Sequence, residues 1–213
     1  MGVNIAISQV LRLAPNALPN YREAFQAGQK VLDRHGISDA PLRVAHFMAQ
    51  ILHESGALTV LSENLNYTPQ RLSAVWPSRF KPKGPLDPAA YAYNPEKLAN
   101  MVYGGRMGNA APGDGYLFRG RGLLQTTGKD DYRQATATLR AENPGAPDFV
   151  AAPDLVTDAQ WCLAVACSEW VAKGCNALAD KDDIQAITRA INGGLTGLSE
   201  RSNWAVRTKA VWS

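Results

Sequence analysis

Leu42-Arg43-Val44-Ala45-His46-Phe47-Met48-Ala49-Gln50-Ile51-Leu52-His53-Glu54-Ser55-Gly56 follows Pro41 and is apolar on most of its sides. A helix apolar nearly all round belongs inside a protein, and Pro at its start with Gly just past its end marks its boundaries. We read residues 42–54 as a buried central helix against which the other elements pack. It carries Glu54 to its end, where partial desolvation favours the protonated carboxyl. A second carboxylate, Glu63, follows nine positions later in Ser62-Glu63-Asn64-Leu65-Asn66-Tyr67. On one continuous helix the two would be separated by a turn of roughly 900° and a rise of about 13 Å, on opposite faces. Ser55-Gly56 can end the helix between them, since Gly readily takes the left-handed conformation that closes a helix. Residues 58–61 suit a short strand or extended loop, and the reversal would bring the two acids together.

With 213 residues, 46% hydrophobic and 19% charged, the chain reads as one folded domain over 1–213. Its net charge of +3 and pI near 8.8 are mildly basic, enough to suit an anionic polymer such as a bacterial wall. No apolar run approaches the ~20 residues of a membrane span. The start Met1-Gly2-Val3-Asn4-Ile5-Ala6 lacks a basic segment leading into an apolar core. We therefore expect synthesis in the cytoplasm, with no integral membrane segment. Cys162, Cys167 and Cys175 are odd in number and read as buried free thiols.

Helices are also expected near residues 5–13, 20–34, 95–102, 161–173, 182–191 and 199–212, and almost nothing alternates like a strand. Thr157 with Gln160 and Asp182 with Gln185 have the spacing of capping boxes. Residues 76–122 turn to Pro, Gly, Tyr and Arg, the composition of a long loop region that carries function. The expected class is mainly α, with a small β/loop region.

Several chemistries drop out. His53-Glu54 would need a second His at position 57 for zinc, and Ala57 is there; His35 and His46 supply no such spacing. We expect no metal and no cofactor, and core roles for the histidines. No Gly-x-Ser-x-Gly elbow supports a serine triad. Gly120-Arg121-Gly122 lacks a third glycine for a dinucleotide, and Arg119 and Arg121 do not extend into a basic patch, so no nucleic acid is expected. Glu54 and Glu63 remain as candidates; alone, two acids near a helix end are more often solvated or capping.

Taken together the motifs say more. The run from Arg43 through His53-Glu54-Ser55, then Glu63-Asn64-Leu65-Asn66-Tyr67, then Ala99-Asn100-Met101-Val102-Tyr103-Gly104-Gly105-Arg106-Met107-Gly108-Asn109, resembles family 19 glycoside hydrolases. So do Gly113-Asp114-Gly115-Tyr116-Leu117-Phe118-Arg119-Gly120-Arg121-Gly122-Leu123-Leu124-Gln125-Thr126-Thr127-Gly128 and Thr188-Arg189-Ala190-Ile191-Asn192-Gly193-Gly194 with Gly197 and Arg201. The likeness runs through most of the chain in order and is nearest the compact bacterial and phage branch that includes endolysins. It implies a two-lobed, lysozyme-like helical fold with the β/loop region at a cleft, and inverting hydrolysis of a β-1,4 bond. Inversion sets the carboxyl groups roughly 6.5–9.5 Å apart around a water. By position the resemblance makes Glu54 the general acid and Glu63 the general base. Thr127 would hold the water, with Gln125 and Tyr103 touching substrate and Asn192 and Arg201 near the carboxylates. An arginine there would keep the base ionised while the acid stays protonated. Two departures stand out: the family's Gln-Leu-Ser/Thr reads Gln125-Thr126-Thr127, and its Asn-Tyr reads Asp131-Tyr132.

The expectation is an endolysin-type hydrolase of peptidoglycan, monomeric, released to the wall through a holin pore. A chitinase is the alternative within the same chemistry, and a non-catalytic wall-binding protein the alternative outside it.

Overall fold

Pro19, Pro41, Pro69 and Pro95 each open a helix, at the position where a missing N–H costs nothing. The computed structural model describes residues 2–212. Its helices in order are α1 (Ile7–Leu13), α2 (Pro19–Gln26), α3 (Gln29–Arg34), α4 (Pro41–Glu54), α5 (Pro69–Val75) and α6 (Pro95–Tyr103). Then come α7 (Asp114–Leu117), α8 (Lys129–Glu142), α9 (Cys162–Ala172), α10 (Cys175–Ala179), α11 (Ile184–Asn192) and α12 (Leu198–Trp212). The mainly helical expectation is met, and the expected β region shrinks to isolated bridges, Ser62 with Arg121 and Arg121 with Thr126 near the site and Phe80 with Leu86 apart from it.

Helix α4 is the axis. Val44, Phe47, Met48, Ile51 and Leu52 are fully buried in the main core. Phe47 meets Trp170 of α9 edge to face at 5.4 Å, and α12 packs along α4. A second cluster joins Phe118, Tyr132, Leu139, Phe149 and Val165. A third joins Leu65, Leu72, Phe80, Leu98 and Val102 into a smaller body of its own. Glu54 ends the axis of the main core, and the segment carrying Glu63 leads from it into the smaller body.

The structure departs from the sequence reading at definite points. The helix expected over 20–34 breaks at Ala27-Gly28, because Leu163 of α9 packs into the break: a Cβ on Gly28 would lie 2.3 Å from Leu163 Cδ2 and 2.6 Å from the Ala24 carbonyl. Residues 58–61 are no strand. Gly56, Ala57 and Leu58 all hold positive φ, 56°, 57° and 64°, a left-handed turn that buries Leu58 completely. Left-handed backbone costs a non-glycine residue roughly 1–2 kcal/mol, offset here by that burial and by the Leu58 amide bonding to Ser55 Oγ at 2.9 Å. Asp183, not Asp182, caps α11, accepting from the Ala186 amide at 2.9 Å. Thr157 closes a 3-10 turn instead of capping α9. Helix α8 escaped the composition because its sequence is mostly polar, with Tyr132, Ala135, Thr136 and Leu139 buried.

The three thiols are free and buried. Burial pushes Cys162 and Cys175 up to about 12, out of reach of thiolate chemistry at neutral pH.

Candidate active site

Ser55 ends α4 by turning its hydroxyl back to the Ile51 carbonyl, at 2.5 Å. That stop leaves Glu54 with its side chain 17% exposed at the helix end. One turn earlier on the same face, Gln50 is wholly buried. Arg201 of α12, 1% exposed, divides its guanidinium between them: Nη1 donates to Gln50 Oε1 and Nη2 to Glu54 Oε1. Arg201 thus lies at Glu54, the candidate acid, with no hydrogen bond to Glu63 among the described residues. It reaches Glu54 because α12 lies along α4. Buried this deeply, it acts through Glu54.

Glu63 is gripped from two sides. Its Oε2 accepts from the Tyr103 hydroxyl at 2.8 Å and its Oε1 from the Gly120 amide at 2.7 Å. The Glu63 amide donates to the Gly120 carbonyl at 2.9 Å, and the Gly122 amide to the Leu61 carbonyl at 2.8 Å. Burial, and the Glu63 carboxylate beside it, push the Tyr103 phenol far above its usual range, so it stays a donor.

Gly120 is where the remaining groups meet. A Cβ there would lie 3.1 Å from both Gln125 Oε1 and Thr127 Oγ1 and 3.4 Å from Glu63 Oε1. The structure thus gathers Glu63, Gln125 and Thr127 around one bare backbone position, with Tyr103 bound to the far oxygen of Glu63. Gln125 holds a left-handed φ of 56°, its Nε2 donating to the Gly122 carbonyl at 3.0 Å; strained non-glycine backbone of this kind gathers at functional sites. Thr127 Oγ1 donates to the Gln125 carbonyl at 2.6 Å.

Asn192 stands apart. It ends α11 and is exposed, with no side-chain hydrogen bond to either carboxylate among the described residues. The loop after it does return to the site: Gly197, at φ 74°, lies against the His53 ring, where a Cβ would come within 2.6 Å of Nε2. Among the described residues no three His, Cys, Asp or Glu side chains gather as a metal site.

Sequence reasoning did not single out Gln50 or Gly120. Gln50 had a signal, an amide in an otherwise apolar stretch, whereas the crowding at Gly120 arises only when three segments converge.

No family-wide sequence profile matches the chain. A Haemophilus influenzae (strain ATCC 51907 / DSM 11121 / KW20 / Rd) protein described as glycosyl hydrolase family 19 domain-containing is 34% identical over 203 residues, 93% of this chain and 94% of its own. The chain belongs to glycosyl hydrolase family 19. Two solved structures share the fold. A bacterial family 19 chitinase matches with a TM-score of 0.64 at 18% identity, covering 98% of this chain and 95% of that one. Chitinase C from Streptomyces griseus HUT6037 matches with a TM-score of 0.63 at 16% identity, covering 99% and 93%. The chain is thus a glycoside hydrolase of this family, with the helical architecture of those chitinases.

Proposed function

We propose that the chain hydrolyses β-1,4 bonds of bacterial peptidoglycan with inversion, Glu54 as general acid and Glu63 as general base. The observation that carries the assignment is the two-sided grip on Glu63. With Tyr103 and Gly120 fixing its oxygens and the Thr127 hydroxyl beside them, the carboxylate is oriented to take a proton from a water in the space it shares with Thr127. Glu54 gives its proton to the glycosidic oxygen, and the bond from that oxygen to the anomeric carbon breaks. The water oxygen bonds to that carbon from the opposite face while its proton passes to Glu63.

Peptidoglycan is favoured by the net charge of +3, which attracts an anionic wall. An endolysin role belongs to the same proposal: synthesis in the host cytoplasm and passage to the wall through a holin pore. A chitinase is the second reading, favoured by the solved likenesses, both of which are chitinases.

Reducing-sugar release from purified Gram-negative sacculi and from soluble chitin oligosaccharides, by wild type and by Glu54→Gln, decides between them. Release from sacculi by wild type alone is expected; preferential cleavage of the oligosaccharides would give the chitinase, and equal release by both proteins would remove Glu54 from the mechanism. Mass spectrometry of the muropeptides identifies the bond through its new reducing end, and NMR of the first product should show the α-anomer. Lysis of expressing cells only when a holin is co-expressed is the expected sign of the endolysin role.

A further inference from the structure

The two departures from the family pattern, Thr126 and Asp131, line one cavity of about 140 Å³ between α8 and α9, together with Ala135, Ser168, Glu169 and Lys173. Thr126, 3% exposed, lies between Gln125 and Thr127. Its hydroxyl donates to Glu169 Oε2 at 3.3 Å, and its carbonyl accepts from the Arg121 amide at 3.2 Å. Burial raises the Asp131 carboxyl, and Lys173 and the nearby Thr127 amide oppose that shift. A leucine at 126 and an amide at 131 would supply neither the hydroxyl donor nor the charged acceptor.

We propose that Glu169, assisted by Asp131, is a positioning residue for the Gln125–Thr127 loop, holding it from behind and so fixing the Thr127 hydroxyl against Glu63. The inference rests on the proposed role of that hydroxyl. The left-handed backbone of Gln125 needs such an anchor, because strained backbone persists only where its surroundings over-determine it. The groups that face Glu169 are Lys173 on its own helix, with Nζ at 3.8 Å, Asp131 on α8, Glu54 on α4 and the Thr126 hydroxyl. Burial dominates, Lys173 and Thr126 oppose it, and Asp131 and Glu54 add to it, raising the Glu169 carboxyl to about 7. The ionised carboxylate is the stronger acceptor for Thr126, so the anchor loosens as pH falls through neutrality.

The test measures kcat on sacculi between pH 5.5 and 8.5 for wild type, Glu169→Gln, Glu169→Leu and Thr126→Val. Amide shifts of Gln125, Thr126 and Thr127 are followed by NMR over the same range without substrate. Wild type should lose activity with a midpoint near 7, with the three amides titrating alongside. Glu169→Gln keeps an acceptor and no proton, so both transitions vanish while activity at pH 8 stays within threefold of wild type. Glu169→Leu and Thr126→Val should each lower kcat about tenfold with KM within twofold, and combining them should add little. Amides that do not titrate near 7 in wild type, persistence of either transition in Glu169→Gln, or a Thr126→Val kcat within twofold of wild type overturns the proposal. Wild type inactive on every glycan, with amides that still titrate, would overturn the proposed function and leave the anchor standing.

Discussion

A general base needs its lone pair aimed at one spot, and at Glu63 the aim comes from two donors of different kinds. The Gly120 amide is set by the backbone, whereas the Tyr103 hydroxyl is a side chain that can be removed without disturbing the fold. Tyr103→Phe should therefore cost about 1.5 kcal/mol of charge-assisted hydrogen bonding and lower kcat roughly tenfold, as steady-state kinetics on sacculi would read; an unchanged kcat would show that Gly120 alone orients the base. Arg201 is a different case. Its removal leaves Gln50 and Glu54 without their shared donor inside the core. Arg201→Ala should destabilise by about 3 kcal/mol, since the buried Gln50 and Glu54 oxygens both lose their donor. Arg201→Lys, which cannot serve both partners as a planar fork does, should recover less than half of that in denaturant titrations.

At the scale of elements, the break between α2 and α3 and the left-handed turn after α4 do the shaping. Gly28→Ala has no room, since both the Leu163 side chain and the Ala24 carbonyl occupy the place of the new carbon. Overpacking of this order costs roughly 1–3 kcal/mol, so its thermal midpoint should drop by about 5 °C; a calorimetric scan matching wild type would mean that α9 can move aside. Helix boundaries set by Pro and Gly were legible beforehand, as at Pro41 and Gly56, because those residues act on the backbone locally. The Gly28 break was not, since it depends on a leucine far along the chain. Asp182 shows the same limit: next to the true cap, it adopts a φ of 56° and turns to His46, 2.6 Å from Nε2, and to Lys209.

Across the whole molecule, buried titratable groups set the pH range of stability. Burial holds His46 below its ordinary pKa, with Asp182 opposing, and burial with Arg201 does the same for His53. The unfolded chain binds these protons near 6.5, so their contribution is complete above that value and is lost as pH falls below it. Glu169 has the opposite sign. Its folded pKa of about 7 lies above the unfolded value of 4.5, so the folded state keeps a proton that the unfolded state has released, and stability falls as pH rises from 4.5 to 7. The thermal midpoint should peak near pH 6. Glu169→Gln should raise the midpoint at pH 8 by on the order of 10 °C and leave it unchanged at pH 4, in scanning calorimetry. A variant less stable than wild type at pH 8 would contradict a desolvated charge at this position. Stability gained and the pH response lost in the same variant is the usual trade at a functional site.

Much was readable from residues alone: a buried axis over 42–54, a carboxylate at its end, a stop at Gly56, three buried thiols and the class of the fold. These follow from polarity, periodicity and the backbone preferences of Gly and Pro, which act within a turn or two of chain. The resemblance in motif order added the family. Long-range packing settled the rest. Arg201 meets Glu54 and not Glu63 because two helices 147 positions apart in register lie side by side. Thr126 and Asp131 look like isolated substitutions in the sequence, and become one anchor only where α8 and α9 bring Glu169 between them. Contacts between distant segments leave no local pattern, since each partner is an ordinary residue until the fold supplies its neighbour.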